Sequence, residues 1–382
     1  MNKAAIVGVG TTPIEKNNIR DGFADMAWKA TNLALADAGM TIDAIDNVVT
    51  TSNDFWDGRT ISCMAVSDAS GARDKNVSCV EGDGTFGAFY GLARILSGAY
   101  GTTLVTAHSK GSESISSLIT NAAFDPIYER AIGMDMISAG AMQANAFMYH
   151  TGTTARHLAR VSVKNHGNAR HNPTAQLPME ISVEDVLASE MICDPLHQLD
   201  CSPVSDGCCA IIIAAENRVD QAAKPPVWIR GAAMCADAYH LGDRDLSRAA
   251  ALTRASQQAF AMAGISDPAA QIDLAELYDA FTYQELMWLE AMGLCADGQA
   301  GPLTAAGAFD LDGRLPVNAS GGLLSGHPVI AAGLIRIAEV VRQLRGEAGG
   351  AQVDTPTTGV AQGVNGLCGQ SHCVWVLSNA RS

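Results

Sequence analysis

Side chains able to move a proton or attack a carbonyl gather in a few short, glycine-rich segments of this 382-residue sequence. Val80-Glu81-Gly82-Asp83-Gly84 sets a carboxylate where a strand reads into a helix of small residues, Gly84 to Gly98. Glu81 there is a competent general base, or simply a helix N-terminal charge held by the dipole at about 0.3–1 kcal/mol. Leu277-Tyr278-Asp279 puts a phenol at a strand end, where its hydroxyl donates to an oxyanion or passes on a proton. Gly326-His327-Pro328 opens a second buried helix, and Leu367-Cys368-Gly369 presents a cysteine beside glycine. Metal chemistry is not indicated. His150, His157, His166 and His171 do not recur on one helical face, and no HExxH is present. None of the ten cysteines has CxxC spacing, and Cys208 and Cys209 read as packing in a buried segment.

The elements that must position these residues repeat once along the chain. Gly22 to Ala38 carries Phe23, Met26, Ala27, Ala30, Leu33 and Ala34 at helical spacing and stops at Gly39 before the strand Asn47–Thr51. Arg248 to Ala263 is again helical and stops at Gly264 before the strand Leu274–Tyr278. Gly84–Gly98, followed by the strand Thr102–Ala107, has a counterpart in the late helix Ser325–Gly346. Alternating strands and helices imply parallel sheet covered on both faces, with strand ends and helix N-termini meeting at a central cleft. Accidental self-similarity in an alanine-rich chain is the competing explanation. Residues 109–200 fall outside the repeat. They carry Met134, Met136, Met142 and Met148, and read as an insertion walling a substrate channel.

Bulk composition narrows the function classes. With 48% hydrophobic and 17% charged residues the chain has a large core and is not disordered. A net charge of −15 argues against nucleic acid, whose phosphates need a basic surface. The apolar run Ala4–Gly10 is too short for a secretory h-region, and no stretch approaches the roughly 20 apolar residues of a membrane helix. Reduced cysteines and these absences make the cytoplasm the expected compartment, with no membrane partner.

Taken in order, several segments resemble the thiolase superfamily, its sterol-carrier-protein type in particular. They are Ala4–Gly10, Val80–Gly84, Lys164–Ala169 with Asn172-Pro173, Ser205–Ala210, Leu277–Thr282, Asn318–Gly322, Gly326–Pro328 and Leu367–Gly369. The resemblance covers nearly the whole chain and is specific in order and spacing. It implies a five-layered α/β/α/β/α fold of two duplicated βαβαβαββ halves, residues 1–220 with the insertion and 221–382, dimeric at least. It implies a coenzyme A thioester as substrate, no permanently bound cofactor, and His327, Tyr278 and Cys368 in catalytic loops. Asn318, Gly322 and Gly326 are expected beside the substrate. Relatives of this kind also pair with a small zinc-ribbon and OB-fold subunit.

The chain departs from the family where the chemistry is done. Counting back from Ser97-Gly98 puts Glu81 at the position of the nucleophilic cysteine, with Cys79 two residues earlier. Tyr278 stands where relatives carry histidine or asparagine. Superfamily members that cleave steroid side chains by retro-aldol chemistry also carry Tyr-Asp before Phe-Thr and lack the cysteine, yet they lose the histidine that this chain keeps as His327. Glu81, Tyr278 and His327 are expected to converge on one thioester oxygen. Three readings follow: an acyl-CoA acyltransferase or 3-oxoacyl-CoA thiolase, a retro-aldolase acting on a 3-hydroxyacyl-CoA, and a non-catalytic subunit of a heteromeric enzyme.

Overall fold

The computed structural model describes residues 3–381; the outermost residues of both expected halves, Met1, Asn2 and Ser382, lie outside the described residues. The main sheet has nine strands: β1 Ala4–Thr11, β2 Asn47–Ser52, β3 Asn76–Glu81, β4 Thr102–Lys110, β5 Asp206–Ala215, β6 Val227–Ala236, β7 Leu274–Glu276, β8 Thr358–Asn365 and β9 Ser371–Ser378. Their spatial order is β3-β2-β4-β5-β1-β6-β9-β8-β7. The principal helices are α1 Phe23–Ala38, α2 Gly84–Leu96, α3 Ser116–Ala122, α4 Met136–Thr151, α5 Ala155–Ala169, α6 Ala250–Ala263, α7 Thr282–Ala291 and α8 Ala332–Arg345.

The order reads as one pattern and its reflection. β3-β2-β4 is parallel, and β5 and β1 follow antiparallel. Across the junction, β7-β8 is parallel and β9 and β6 follow antiparallel. The two patterns join where β1 meets β6, through Ala5 opposite Trp228 and Ile6 opposite Val227. One member is cut short. The counterpart of β3 in the second pattern is a single parallel bridge between Ala275 and Val317.

Strand alternation divides the core into layers. Val48, Leu104 and Ile212 face α1, whereas Val49, Val105, Ile211 and Ile213 face α2 and α8. α2 and α8 pack against strands of both patterns and against each other, and α6 covers the far side of β6 and β9. The result is five layers: α1, sheet, α2 with α8, sheet, α6. α1 buries Met26, Ala27, Ala30, Ala34 and Ala38, and α6 buries Ala251, Leu252, Ala255, Ala259 and Phe260. Both end in a left-handed glycine, Gly39 at φ 64° and Gly264 at φ 72°. In β1 the backbone touches the helix above it. A Cβ on Gly10 would lie 2.4 Å from the Ala30 carbonyl oxygen, so only glycine fits.

Two boundaries differ from the sequence reading, and both matter to the site. The late helix begins at Ala332, leaving Ser325–Ala331 as turns that carry His327. Strand β7 stops at Glu276, so Tyr278 stands on a loop past the strand end. Between β4 and β5 the chain forms α3, α4, α5 and a short hairpin. α4 and α5 both pack on α7.

Candidate active site

A cavity of about 320 Å³ opens between the ends of the two patterns, roofed by α3 and the start of α4. Tyr278 and His327 meet on its wall. The Tyr278 hydroxyl lies 2.8 Å from His327 Nε2 and 3.3 Å from the Val329 carbonyl oxygen. The rings are edge-on, with centroids 5.3 Å apart. His327 Nδ1 lies 2.8 Å from the Ser202 hydroxyl, and Ser202 also lines the cavity. Ser202, His327 and Tyr278 thus form an unbroken hydrogen-bond chain. Its direction follows the imidazole tautomer, because every member both donates and accepts.

Burial sets the charge state of this chain. Desolvation, reinforced by Arg336, pushes the His327 pKa down to about 3. Desolvation, with Asp83 and Asp279 nearby, holds the Tyr278 phenol well above its ordinary range. At neutral pH both are uncharged. Backbone contacts fix their places. The His327 N–H donates to Ser205 Oγ at 2.8 Å, and the Tyr278 N–H donates to Gln362 Oε1 at 2.9 Å. Trp288 Nε1 donates to the Tyr278 carbonyl oxygen at 2.8 Å.

Glu81 does not join them. It ends the edge strand β3, is exposed, accepts from Asn53 Nδ2 at 2.9 Å and is not part of the cavity wall. Gly82, at φ 113°, turns the chain after it, and Asp83 rather than Glu81 faces the cavity at the helix start. Asp83 Oδ1 accepts the Thr85 N–H at 2.9 Å and Oδ2 accepts the Gly333 N–H at 2.7 Å, tying together the N-termini of α2 and α8. Burial raises its pKa to about 6 despite those donors.

Cys368 is likewise turned away. Its neighbours Leu367 and Gly369 line the cavity, whereas Cys368, at φ 47°, is buried with Phe124, Ala139 and Leu241. Burial pushes its thiol up to about 12, which leaves it neutral and unreactive. Cys79 is exposed on β3 beside Ser52, at 3.3 Å. No cysteine lines the cavity among the described residues. Of the insertion methionines, Met136 lines the cavity, Met142 is exposed and Met148 packs into the core.

Asn318, Gly322 and Gly326 lie behind the wall and not on it. Asn318 Oδ1 accepts the Leu277 N–H at 2.7 Å, and its Nδ2 donates to Glu285 at 2.7 Å. Gly322, at φ 62°, leaves room for Asp279, whose carboxylate would stand 2.4 Å from any added Cβ. Asp279 accepts from Leu323 N–H at 2.6 Å and Asn165 Nδ2 at 2.7 Å. Lys164 closes the network, 3.1 Å from Glu285 and donating to the Val317 carbonyl oxygen at 2.7 Å. Desolvation and the Glu285 charge raise the Asp279 pKa to about 7. The Lys164-Asn165, Tyr278-Asp279 and Asn318–Gly322 segments are therefore one buried polar scaffold that holds the Tyr278 loop. A buried polar network of this kind specifies geometry more than it stabilises.

Five layers, two reflected strand patterns and a cavity between them define the thiolase fold. A chain titled Ltp2-ChsH2(DUF35) aldolase superposes with a TM-score of 0.85 at 27% identity, covering 98% of this chain and 97% of that one. The family model "Thiolase C-terminal domain-like" matches residues 232–379. An acetyl-CoA acetyltransferase of Methanothermobacter thermautotrophicus is 34% identical over 97% of this chain and 98% of its own length. A 17-hydroxy-3-oxo-4-pregnene-20-carboxyl-CoA lyase of Mycobacterium tuberculosis is 32% identical over 90% of this chain and 92% of its own. The chain belongs to the thiolase family.

Proposed function

We propose that this chain is a thiolase-like enzyme that makes or breaks a carbon–carbon bond beside a coenzyme A thioester. The support is joint: relatives whose names carry that chemistry align end to end with it, and a cavity holds the neutral Tyr278–His327 pair. Acyl-CoA is the substrate in this reading and no resident cofactor takes part. Among the described residues no cluster of His, Cys, Asp or Glu is suited to a metal. No helix among the described residues is long and apolar enough to cross a membrane.

One observation favours a particular form of that chemistry. With Glu81 and Cys368 off the wall, the lining residues supply the acid–base groups for cleavage of a 3-hydroxyacyl-CoA, whereas acyl transfer needs a thiol. In this second reading the Tyr278 oxygen takes the 3-hydroxyl proton as its own passes to His327 Nε2. The Nδ1 proton moves to Ser202, and Ser202 delivers its proton to the α-carbon as the Cα–Cβ bond breaks. An aldehyde or ketone and a shortened acyl-CoA leave, and no protein group changes charge overall. The name of the superposed aldolase joins a second component to the first, so a dimeric core that takes a small zinc-ribbon and OB-fold partner belongs to the same reading. The test supplies a 3-hydroxyacyl-CoA without free coenzyme A in D2O. Release of a carbonyl product with one deuterium on the shortened acyl-CoA supports acid–base cleavage. Turnover only when free coenzyme A is added removes it.

A further inference from the structure

The charges on the cavity wall are of one sign. The wall carries two carboxylates, Asp83 and Asp135, and among the described residues lining it there is no lysine or arginine. The one imidazole on the wall, His327, is kept uncharged by burial. Two long helices, α2 and α4, set their N-cap residues Asp83 and Asp135 on the wall, and a helix N-terminus is where an acidic ligand group would ordinarily be received. Here those donors are occupied. Asp83 takes the Thr85 N–H of α2 and the Gly333 N–H of α8, the Gly84 N–H donates to the Ile330 carbonyl oxygen, and Asp135 Oδ1 takes the Ser138 N–H of α4 at 2.8 Å. A second anion would meet carboxylates instead of free donors.

The rest of the wall suits an uncharged apolar group. Ile119, Met136 and Ile137 face it from the insertion, and Phe281, Val364 and Leu367 from the second half of the chain. Uncharged polar contacts come from Asn53, Gln284 and Asn365.

We propose that this cavity takes acyl-CoA thioesters whose acyl chain is uncharged and apolar, and rejects acyl chains that carry a second carboxylate. The inference rests on the acyl-CoA reading of the cavity and adds the substrate class. Rejection comes from like charge without a compensating cation on the wall, the nearby Arg336 being paired with Glu276. Such repulsion is a specificity device acting against the wrong ligand.

The test compares two unreactive thioesters of equal chain length, octanoyl-CoA and 7-carboxyheptanoyl-CoA, by calorimetry on the whole protein at pH 7.5. The account expects the carboxylated ligand to bind at least about ten-fold more weakly. Asp135→Asn then narrows the gap, because asparagine keeps the helix cap while removing the charge. Asp83→Asn, checked for folding by circular dichroism, narrows it further. Equal affinity for the two thioesters, or preference for the carboxylated one, overturns the inference and leaves the acyl-CoA reading standing. A gap unmoved in Asp135→Asn and in a folded Asp83→Asn shows that the walls discriminate by polarity alone, which overturns the electrostatic cause. If neither thioester binds, the acyl-CoA reading falls and the inference with it.

Discussion

Replacing Tyr278 by phenylalanine removes one oxygen and little else. The ring volume is kept, so no cavity forms, and the Trp288 and Gln362 bonds to the Tyr278 backbone remain. Two hydroxyl contacts disappear, the one to His327 Nε2 at 2.8 Å and the longer one to Val329. His327 Nε2 is then left without that partner, which costs stability of about 1–3 kcal/mol. On the reaction the effect is larger. A group that transfers the proton in the transition state is worth about 10²–10⁴ in rate, or roughly 2.7–5.4 kcal/mol at 1.36 kcal/mol per decade. The assay is carbonyl release from a 3-hydroxyacyl-CoA at saturating substrate, with thermal unfolding and acyl-CoA affinity measured in parallel. The expected result is a folded variant with parental affinity and turnover lowered by at least two decades. A folded Tyr278→Phe protein that turns over within about threefold of the parent refutes the relay.

Four further outcomes follow from the same geometry. Ser202→Ala breaks the other end of the chain at His327 Nδ1, so the Ser202→Ala/Tyr278→Phe double variant is about as slow as the slower single one, since parts of one unit do not add. Glu81→Gln changes an exposed side chain bonded to Asn53, and turnover and stability stay near parental, within about 0.5 kcal/mol by urea unfolding; a loss of two decades in turnover restores Glu81 as a catalytic group. Gly322→Ala drives a methyl group into the Asp279 carboxylate at φ 62°, and a loss of about 2 kcal/mol or more in urea unfolding is expected; parental stability contradicts the scaffold. The last concerns pH. Burial holds His372 neutral with its pKa lowered to about 3, while the unfolded chain protonates near 6.5. That contribution is present above pH 6.5 and lost as pH falls towards 3. Between pH 7.5 and 5 the parent therefore loses about 2 kcal/mol relative to His372→Gln, and an unchanged difference in urea unfolding contradicts it.

The parts legible in the sequence were those written in periodicity and punctuation. Gly39 and Gly264 ended matching helices, and the strands that followed them belonged to reflected patterns, so two related halves were readable before any geometry. His327 and Tyr278 stood in turns short enough for the resemblance to locate them, and both reach the cavity. Glu81 was misplaced because a fixed offset along the chain ignores the turn at Gly82, which keeps Glu81 in β3. A helix-capping signal was present, since an aspartate immediately before a helical run reads as an N-cap, and Asp83 is that residue. Asn318 and Gly322 belonged to a recognisable segment, but motif membership does not separate residues that touch a ligand from residues that hold the loop. Ser202 carried no local signal. Its partner is 125 positions away, and only the fold brings them together.

The acid–base form of the proposed chemistry holds that no thiol of this protein takes up the acyl group. Intact-protein mass spectrometry during turnover of a 3-hydroxyacyl-CoA, quenched within the first cycles, tests it directly. The account predicts the unmodified protein mass throughout, alongside accumulating carbonyl product. A transient mass increase equal to an acyl group, mapped to Cys79 or Cys368, would contradict it.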